Sequence, residues 1–314
     1  MPPRLPALRK KTRRAPGPEQ DGNGKQSEPA KIIAEECWSQ AAGCRMRFLR
    51  AGCSAQHPPL LLIHGLVAYS FSWRFNLPIL AQSRLVYAID LPGLGYSERV
   101  NGLDTSLTAT AARLGLFLQE QNVKEFDVLG TSHGGAVAMM LAGLSVTDSN
   151  LPQVRRMVLN APVNPWSRHG RLITRVLATR FGGGLFRRVH PFLDKSHGYF
   201  LRRMYGDVSR IAEGTLQGYS GPLNVAGTVD HLLSIMRCWH SGLSDIEANL
   251  PKIAGIPTLL IWGARDRAVL PASAGPLKAK FRNAELVILE DAGHLPYEEV
   301  PVQFNRIVLD FLDR

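Results

Sequence analysis

Phe126-Asp127-Val128-Leu129-Gly130-Thr131-Ser132-His133-Gly134-Gly135 is the stretch that decides how this chain folds. An apolar strand runs straight into Gly130-x-Ser132-x-Gly134, and Ala136-Val137-Ala138-Met139-Met140-Leu141-Ala142 follows as a good helix former. A serine held on a sharp strand-to-helix turn needs small neighbours on both sides. Gly130 and Gly134 leave that room, and the turn lifts the Ser132 hydroxyl above the edge of a sheet. The five-residue pattern alone is a weak signal, and its flanking strand and helix make it a strong one.

An acyl-transfer serine needs a base, an acid to orient that base, and donors for the oxyanion, and candidates stand in the expected chain order. His294, in Asp291-Ala292-Gly293-His294-Leu295-Pro296, follows the apolar run Leu286 to Leu289 and is the candidate base. An imidazole titrates near neutral pH, so it can take the serine proton and return it. Asp266 follows the apolar run Thr258 to Trp262 and is the candidate acid. Asp291 lies only three residues before His294, too local to reach its ring from a separate strand end. Met157-Val158-Leu159-Asn160-Ala161, at the end of another apolar run, offers no carboxylate. The backbone N–H groups of His133 and Leu66 are the candidate oxyanion donors, Leu66 following Leu60-Leu61-Leu62-Ile63-His64-Gly65. His64 itself reads as a structural prop for that loop. His169, His190, His197, His231 and His240 have no carboxylate or thiol at metal-ligand spacing, so no metal site is expected.

With Asp90-Leu91-Pro92-Gly93-Leu94-Gly95-Tyr96-Ser97 added, the chain from about Lys31 onward resembles the α/β-hydrolase superfamily. That segment is similar to the Asp-x-x-Gly-x-Gly-x-Ser turn after the fourth strand of lidded members. The resemblance implies a serine hydrolase with Ser132, Asp266 and His294 as its triad, and a helical lid inserted after the sixth strand.

The element order agrees with this. Strands are expected near 32–38, 44–51, 60–63, 84–89, 126–129, 155–160, 257–262 and 285–289. Helices are expected near 105–122 (capped by Thr105 or Ser106), 133–144, 271–282 and 298–312. Alternating strands and helices predict an α/β fold with a mostly parallel, doubly wound, eight-stranded sheet, and ligands bind beyond the carboxyl ends of such strands. The expected divisions are a disordered basic tail over 1–30, a core over 31–161 and 246–314, and a lid over 162–245. Within the lid, breaks are expected at Gly182-Gly183-Gly184 and Gly221-Pro222. Its Leu172, Ile173, Val176 and Leu177 recur at helical spacing beside Arg168, Arg171 and Arg175. The favoured reading packs that apolar stripe over the pocket and shows the arginines to water; the other lays the helix on lipid. Trp166, Phe181, Phe192 and Tyr199 are expected to shape the pocket.

The net charge of +11 is unevenly placed. Residues 1–31 hold eight Lys/Arg against three Asp/Glu, residues 161–245 eleven against five, and the rest eighteen of each. The core is therefore neutral, and the excess belongs to tail and lid. A nucleic-acid role would need a basic stripe with aromatic platforms, and the tail has no aromatic residue. The tail also lacks the 7–15-residue apolar run of a secretory signal, and no stretch approaches a membrane span of ~20 apolar residues. A cytoplasmic location is expected, with organelle targeting by the Arg-rich start as the alternative. Cys37, Cys44, Cys53 and Cys238 are then reduced thiols by default, with Cys44–Cys53 or Cys37–Cys53 pairing left open.

The expected activity is cofactor-independent hydrolysis of a small to medium carboxylic ester, with no nucleic-acid partner and no stable membrane insertion. The resemblance keeps carbon–carbon hydrolysis of a vinylogous diketone and perhydrolase chemistry open, since these share the triad. Epoxide and haloalkane hydrolysis fit less well, because those elbows carry aspartate where Ser132 stands. A small-molecule receptor on a hydrolase scaffold is the non-enzymatic alternative.

Overall fold

Strands β1 (Glu35–Ser39) and β2 (Met46–Ala51) pair as an antiparallel hairpin at one edge of the sheet. Next come β3 (Leu60–Ile63), a 3-10 turn, the short helix α1 (Leu77–Leu80), β4 (Val86–Ile89) and helix α2 (Leu107–Glu120). The elbow strand β5 (Glu125–Thr131), helix α3 (His133–Thr147) and β6 (Gln153–Asn160) complete the first half. A helical insertion follows: α4 (Arg171–Ala178), α5 (Arg180–Val189), α6 (Asp194–Met204), α7 (Thr215–Ser220) and α8 (Thr228–Ile253). The chain closes with β7 (Thr258–Gly263), α9 (Ala274–Lys278), β8 (Ala284–Leu289), α10 (Pro296–Glu299) and α11 (Pro301–Leu312). This computed structural model describes residues 34–41, 43–53, 57–167, 170–189 and 194–314, with the side chains of 194–197 excepted. The expected tail over 1–30, Arg168, His169, His190, Phe192 and the side chain of His197 lie outside the described residues.

The strand order is β1-β2-β4-β3-β5-β6-β7-β8, antiparallel only where β2 meets β1 and β4 and parallel from β4 to β8. Two apolar clusters cover its faces. Leu61 and Ile63 of β3 point into one with α2, α3 and α8, whereas Leu60 and Leu62 point into the other with α1 and α11. A strand wholly buried on both sides reads as a continuous apolar run rather than an alternating one, which is why β3, β4 and β7 were visible in sequence. Burial of each such leucine is worth about 1.5–3 kcal/mol. Helix α2 starts at the Ser106 cap, whose hydroxyl accepts from Ala109 N at 3.2 Å.

The insertion departs from expectation in three ways. The triple glycine does not break a helix: α5 runs through Gly182, Gly183 and Gly184. The break falls at Thr179, and a Cβ at Gly182 would lie 2.1 Å from the Val176 carbonyl oxygen, so this glycine serves the close approach of α4 and α5. The division at 245/246 falls inside α8, a 26-residue helix shared by insertion and core. Of the apolar stripe of α4 only Leu177 packs against the core, partly buried, and the other three side chains are exposed. Thr174 is the helix's buried residue, whereas Leu172 and Ile173 are 76% and 58% exposed. Among the described residues no helix is long and apolar enough to cross a membrane, and all four cysteines are free.

Candidate active site

Ser132 sits between β5 and α3 with φ 53° and ψ −118°, a conformation that costs an L-residue roughly 1–3 kcal/mol. Close packing holds it there. A Cβ at Gly134 would lie 2.3 Å from the His64 carbonyl oxygen, and one at Gly130 would lie 2.5 Å from that of Gly134. The two glycines therefore permit the start of α3 to press against β3 as well as freeing the turn. The Ser132 N–H donates to the Asn160 carbonyl at 2.9 Å, which ties the elbow to the end of β6.

Asp266 follows β7 and His294 follows β8, so both lie at the same sheet edge as Ser132. His294 Nδ1 and Asp266 Oδ2 are 2.7 Å apart, with the residues only 5% and 3% exposed. The other Asp266 oxygen accepts from the N–H groups of Ala268 at 2.7 Å and Val269 at 3.0 Å. A carboxylate fixed in this way places the imidazole proton on Nδ1 and leaves the Nε2 lone pair free. Ser132 Oγ is hydrogen-bonded to none of the described residues; such contacts are often long in empty sites and shorten around substrate. Asp291, the nearer acid in sequence, turns outward to Arg265 at 2.9 Å.

Asn160 ties these parts together. Its Nδ2 donates to Thr131 Oγ1 at 2.9 Å and to the His294 carbonyl at 3.3 Å, while its own carbonyl receives the Ser132 N–H. The sequence showed Asn160 only as a missing carboxylate, and its role as a brace appears once β6 is seated between β5 and β7. Glu299 was also missed. Its carboxylate accepts from Gly293 N at 2.7 Å, Gly206 N at 2.8 Å and Asp207 N at 3.2 Å, gripping the loop before His294 and the insertion at once. Burial pushes this carboxyl upward, against the three N–H bonds that pull it down. The only sequence signal was a pair of glutamates at a helix start, ordinarily a solvated position.

Of the two candidate oxyanion donors, His133 lies at a helix start and Leu66 in the turn after β3. His133 is the first residue of α3, so its N–H has no carbonyl one turn back within the helix. Among the described residues the Leu66 N–H donates to no acceptor. Beside it Val67 holds φ 60°, rare for a β-branched residue. His64 is wholly buried, with Nδ1 2.7 Å from the Gly65 oxygen and Nε2 accepting from Leu91 N at 2.9 Å; burial keeps its ring neutral. The His133 ring turns away from the elbow to stack on Trp239 of α8, and burial depresses its pKa to about 4. A cavity of ≈ 10 Å³, room for about one water, lies there between His133, Ala136, Val163, Trp239 and Leu243. Of the expected pocket residues, Trp166 packs partly buried against the core beneath Lys280, but Phe181 is 83% exposed and Tyr199 is also exposed, so neither lines a pocket. Among the described residues no group of three or more His, Cys, Asp and Glu could hold a metal ion.

Comparison with known proteins bears on the family and the fold. The magnesium-chelatase 30 kDa subunit of Rhodobacter capsulatus is 31% identical over 272 residues, 82% of this chain and 88% of that protein. Monoacylglycerol lipase ABHD6 of Bos taurus is 23% identical, over 88% of this chain and 84% of its own length. Among solved structures, Cfl2 of Burkholderia cenocepacia superposes with a TM-score of 0.77 at 20% identity, covering 91% of this chain and 98% of its own. A 2-hydroxy-6-oxo-6-phenylhexa-2,4-dienoate hydrolase from Rhodococcus superposes at 0.75 with 19% identity, covering 90% of this chain and all of its own. The two solved structures share the fold, and the family and the lipase relative support a hydrolase. The model of the alpha/beta hydrolase family matches residues 60–307, and the chain belongs to that family.

Proposed function

We propose that the protein is a serine hydrolase that cleaves a small to medium carboxylic ester through an acyl-enzyme. Ser132 Oγ attacks the ester carbonyl while Nε2 of His294 takes its proton, and Asp266 holds the ring and stabilises the imidazolium. The N–H groups of Leu66 and His133 receive the oxyanion. His294 then protonates the leaving alcohol, and water, activated by the same ring, releases the acid. The helical insertion acts as the lid, since Met204 at the end of α6 accepts the His294 N–H at 2.7 Å and so borders the base directly. The observation that carries this reading is the 2.7 Å His294–Asp266 pair at the edge where Ser132 is held in a strained elbow.

The test is turnover of p-nitrophenyl esters of increasing acyl length. Wild type is expected to turn over short to medium chains, and Ser132→Ala to lose about four orders of magnitude or more. Equal rates in the two proteins would remove the proposed nucleophile. Tight ligand binding with one turnover or none would favour the receptor reading.

A second reading concerns setting rather than chemistry. The relative at 31% identity is described as a magnesium-chelatase subunit, which supports placing this hydrolase beside a magnesium-inserting assembly. Affinity capture of the full chain with magnesium-chelatase subunits checks it, and failure to retain any of them counts against it.

A further inference from the structure

Of the eighteen large apolar side chains exposed among the described residues, nine lie between Leu172 and Val208. The patch is built on adjacent helices. Leu172, Ile173 and Val176 lie on one face of α4, and Phe181 and Leu185 stand one turn apart on α5. The two helices touch where Gly182 meets the Val176 carbonyl, so their exposed residues are neighbours. Isolated apolar side chains on a surface need no explanation, but a contiguous group of them marks a contact.

The charge around the patch says what it contacts. Along these helices and the next the sequence carries Arg171, Arg175, Arg180, Arg187, Arg188, Arg202 and Arg203, of which Arg187 pairs with Asp230 of α8. A second copy of this chain is a poor occupant, because a two-fold contact sets the same patch against itself and the arginines against arginines. Short helices with apolar residues on one side and arginines around them fit the boundary between anionic headgroups and acyl chains. We propose that α4 and α5 form a docking surface for an anionic lipid bilayer, with Leu172, Ile173, Val176, Phe181 and Leu185 entering the acyl boundary and the arginines meeting phosphate headgroups. This attachment does not depend on the chemistry of Ser132. It brings the insertion that borders His294 to the surface where acyl esters are concentrated.

The test is co-sedimentation of the full chain with vesicles of phosphatidylcholine alone, or of phosphatidylcholine with about one third phosphatidylglycerol. Binding is expected to the second and to weaken as salt is raised. The double variant Leu172→Asp with Phe181→Asp, at two exposed positions, is expected to lose about ten-fold or more in binding. Its turnover of soluble esters should be kept, and Ser132→Ala should bind as wild type does. Absence of vesicle binding by wild type overturns the proposal. So does undiminished binding by the double variant, which would assign attachment to the basic residues 1–31. A dimer in size-exclusion chromatography that the double variant dissolves would make the patch a contact between copies, and would overturn it too.

Discussion

Two kinds of atomic constraint meet at Ser132 and at His294. The serine is held at φ 53° by the packing of Gly130 and Gly134 rather than by any capping hydrogen bond. The histidine is held by a carboxylate that two backbone N–H groups have already fixed. Asp266→Asn keeps the size of the side chain but removes the anion that puts the proton on Nδ1. The variant is expected to fold, to bind ester with little change in KM, and to lose about 10³- to 10⁴-fold in kcat. Steady-state kinetics on a soluble ester check this, and a loss confined to KM would deny Asp266 its orienting role. All three side chains were legible in sequence because each follows an apolar strand at a motif. Asn160 and Glu299 were not, because their partners are backbone groups of segments remote in the chain.

Among the elements, the strands were easier to read than the insertion, for a physical reason. A strand covered on both faces has few residue types open to it, so β3, β4 and β7 announce themselves as apolar runs. The insertion obeys a weaker rule, since a glycine inside a helix can serve close approach as well as a turn. Gly182 does the former, so the expected break was misplaced. Likewise the apolar stripe of α4 says that something apolar meets it, without saying whether that is the core; here Thr174 and Leu177 face the core while Leu172, Ile173 and Val176 do not. Helix α8 brings Trp239 flat against His133 and narrows the cavity beside the elbow to about one water. If this cavity receives the acyl group, Trp239→Ala opens the space the ring had filled. The expected result is that the rate maximum in an acyl-length series moves to longer chains while the shortest ester loses less than about ten-fold. An unchanged maximum would place the acyl group elsewhere.

At the scale of the whole molecule, insertion and core are joined through buried polar groups rather than by apolar packing alone. Glu298 accepts from Arg74 Nη2 at 2.7 Å and from the Tyr205 hydroxyl at 2.5 Å, and also from Tyr219, so core and insertion share one carboxylate. His231 of α8 closes another part of the contact, its ring occupying the space a Cβ on Gly93 would need. Burial depresses the pKa of His231 to about 4, as it does that of His133, and lowers that of His64 too. Below the ordinary histidine value of 6.5 the unfolded chain takes up these protons while the folded chain does not. Stability is therefore full above pH 6.5 and falls as the pH drops from 6.5 toward 4, by about 1.4 kcal/mol per unit for His133 and for His231. Glu299, with its pKa raised, works in the opposite sense, losing its contribution as pH rises through its folded value. Denaturant midpoints measured between pH 4.5 and 7.5 are expected to show the histidine slope, and His231→Gln should reduce it by about one proton. A midpoint whose dependence on pH is the same in wild type and in His231→Gln would mean that the His231 ring takes up its proton in the folded protein.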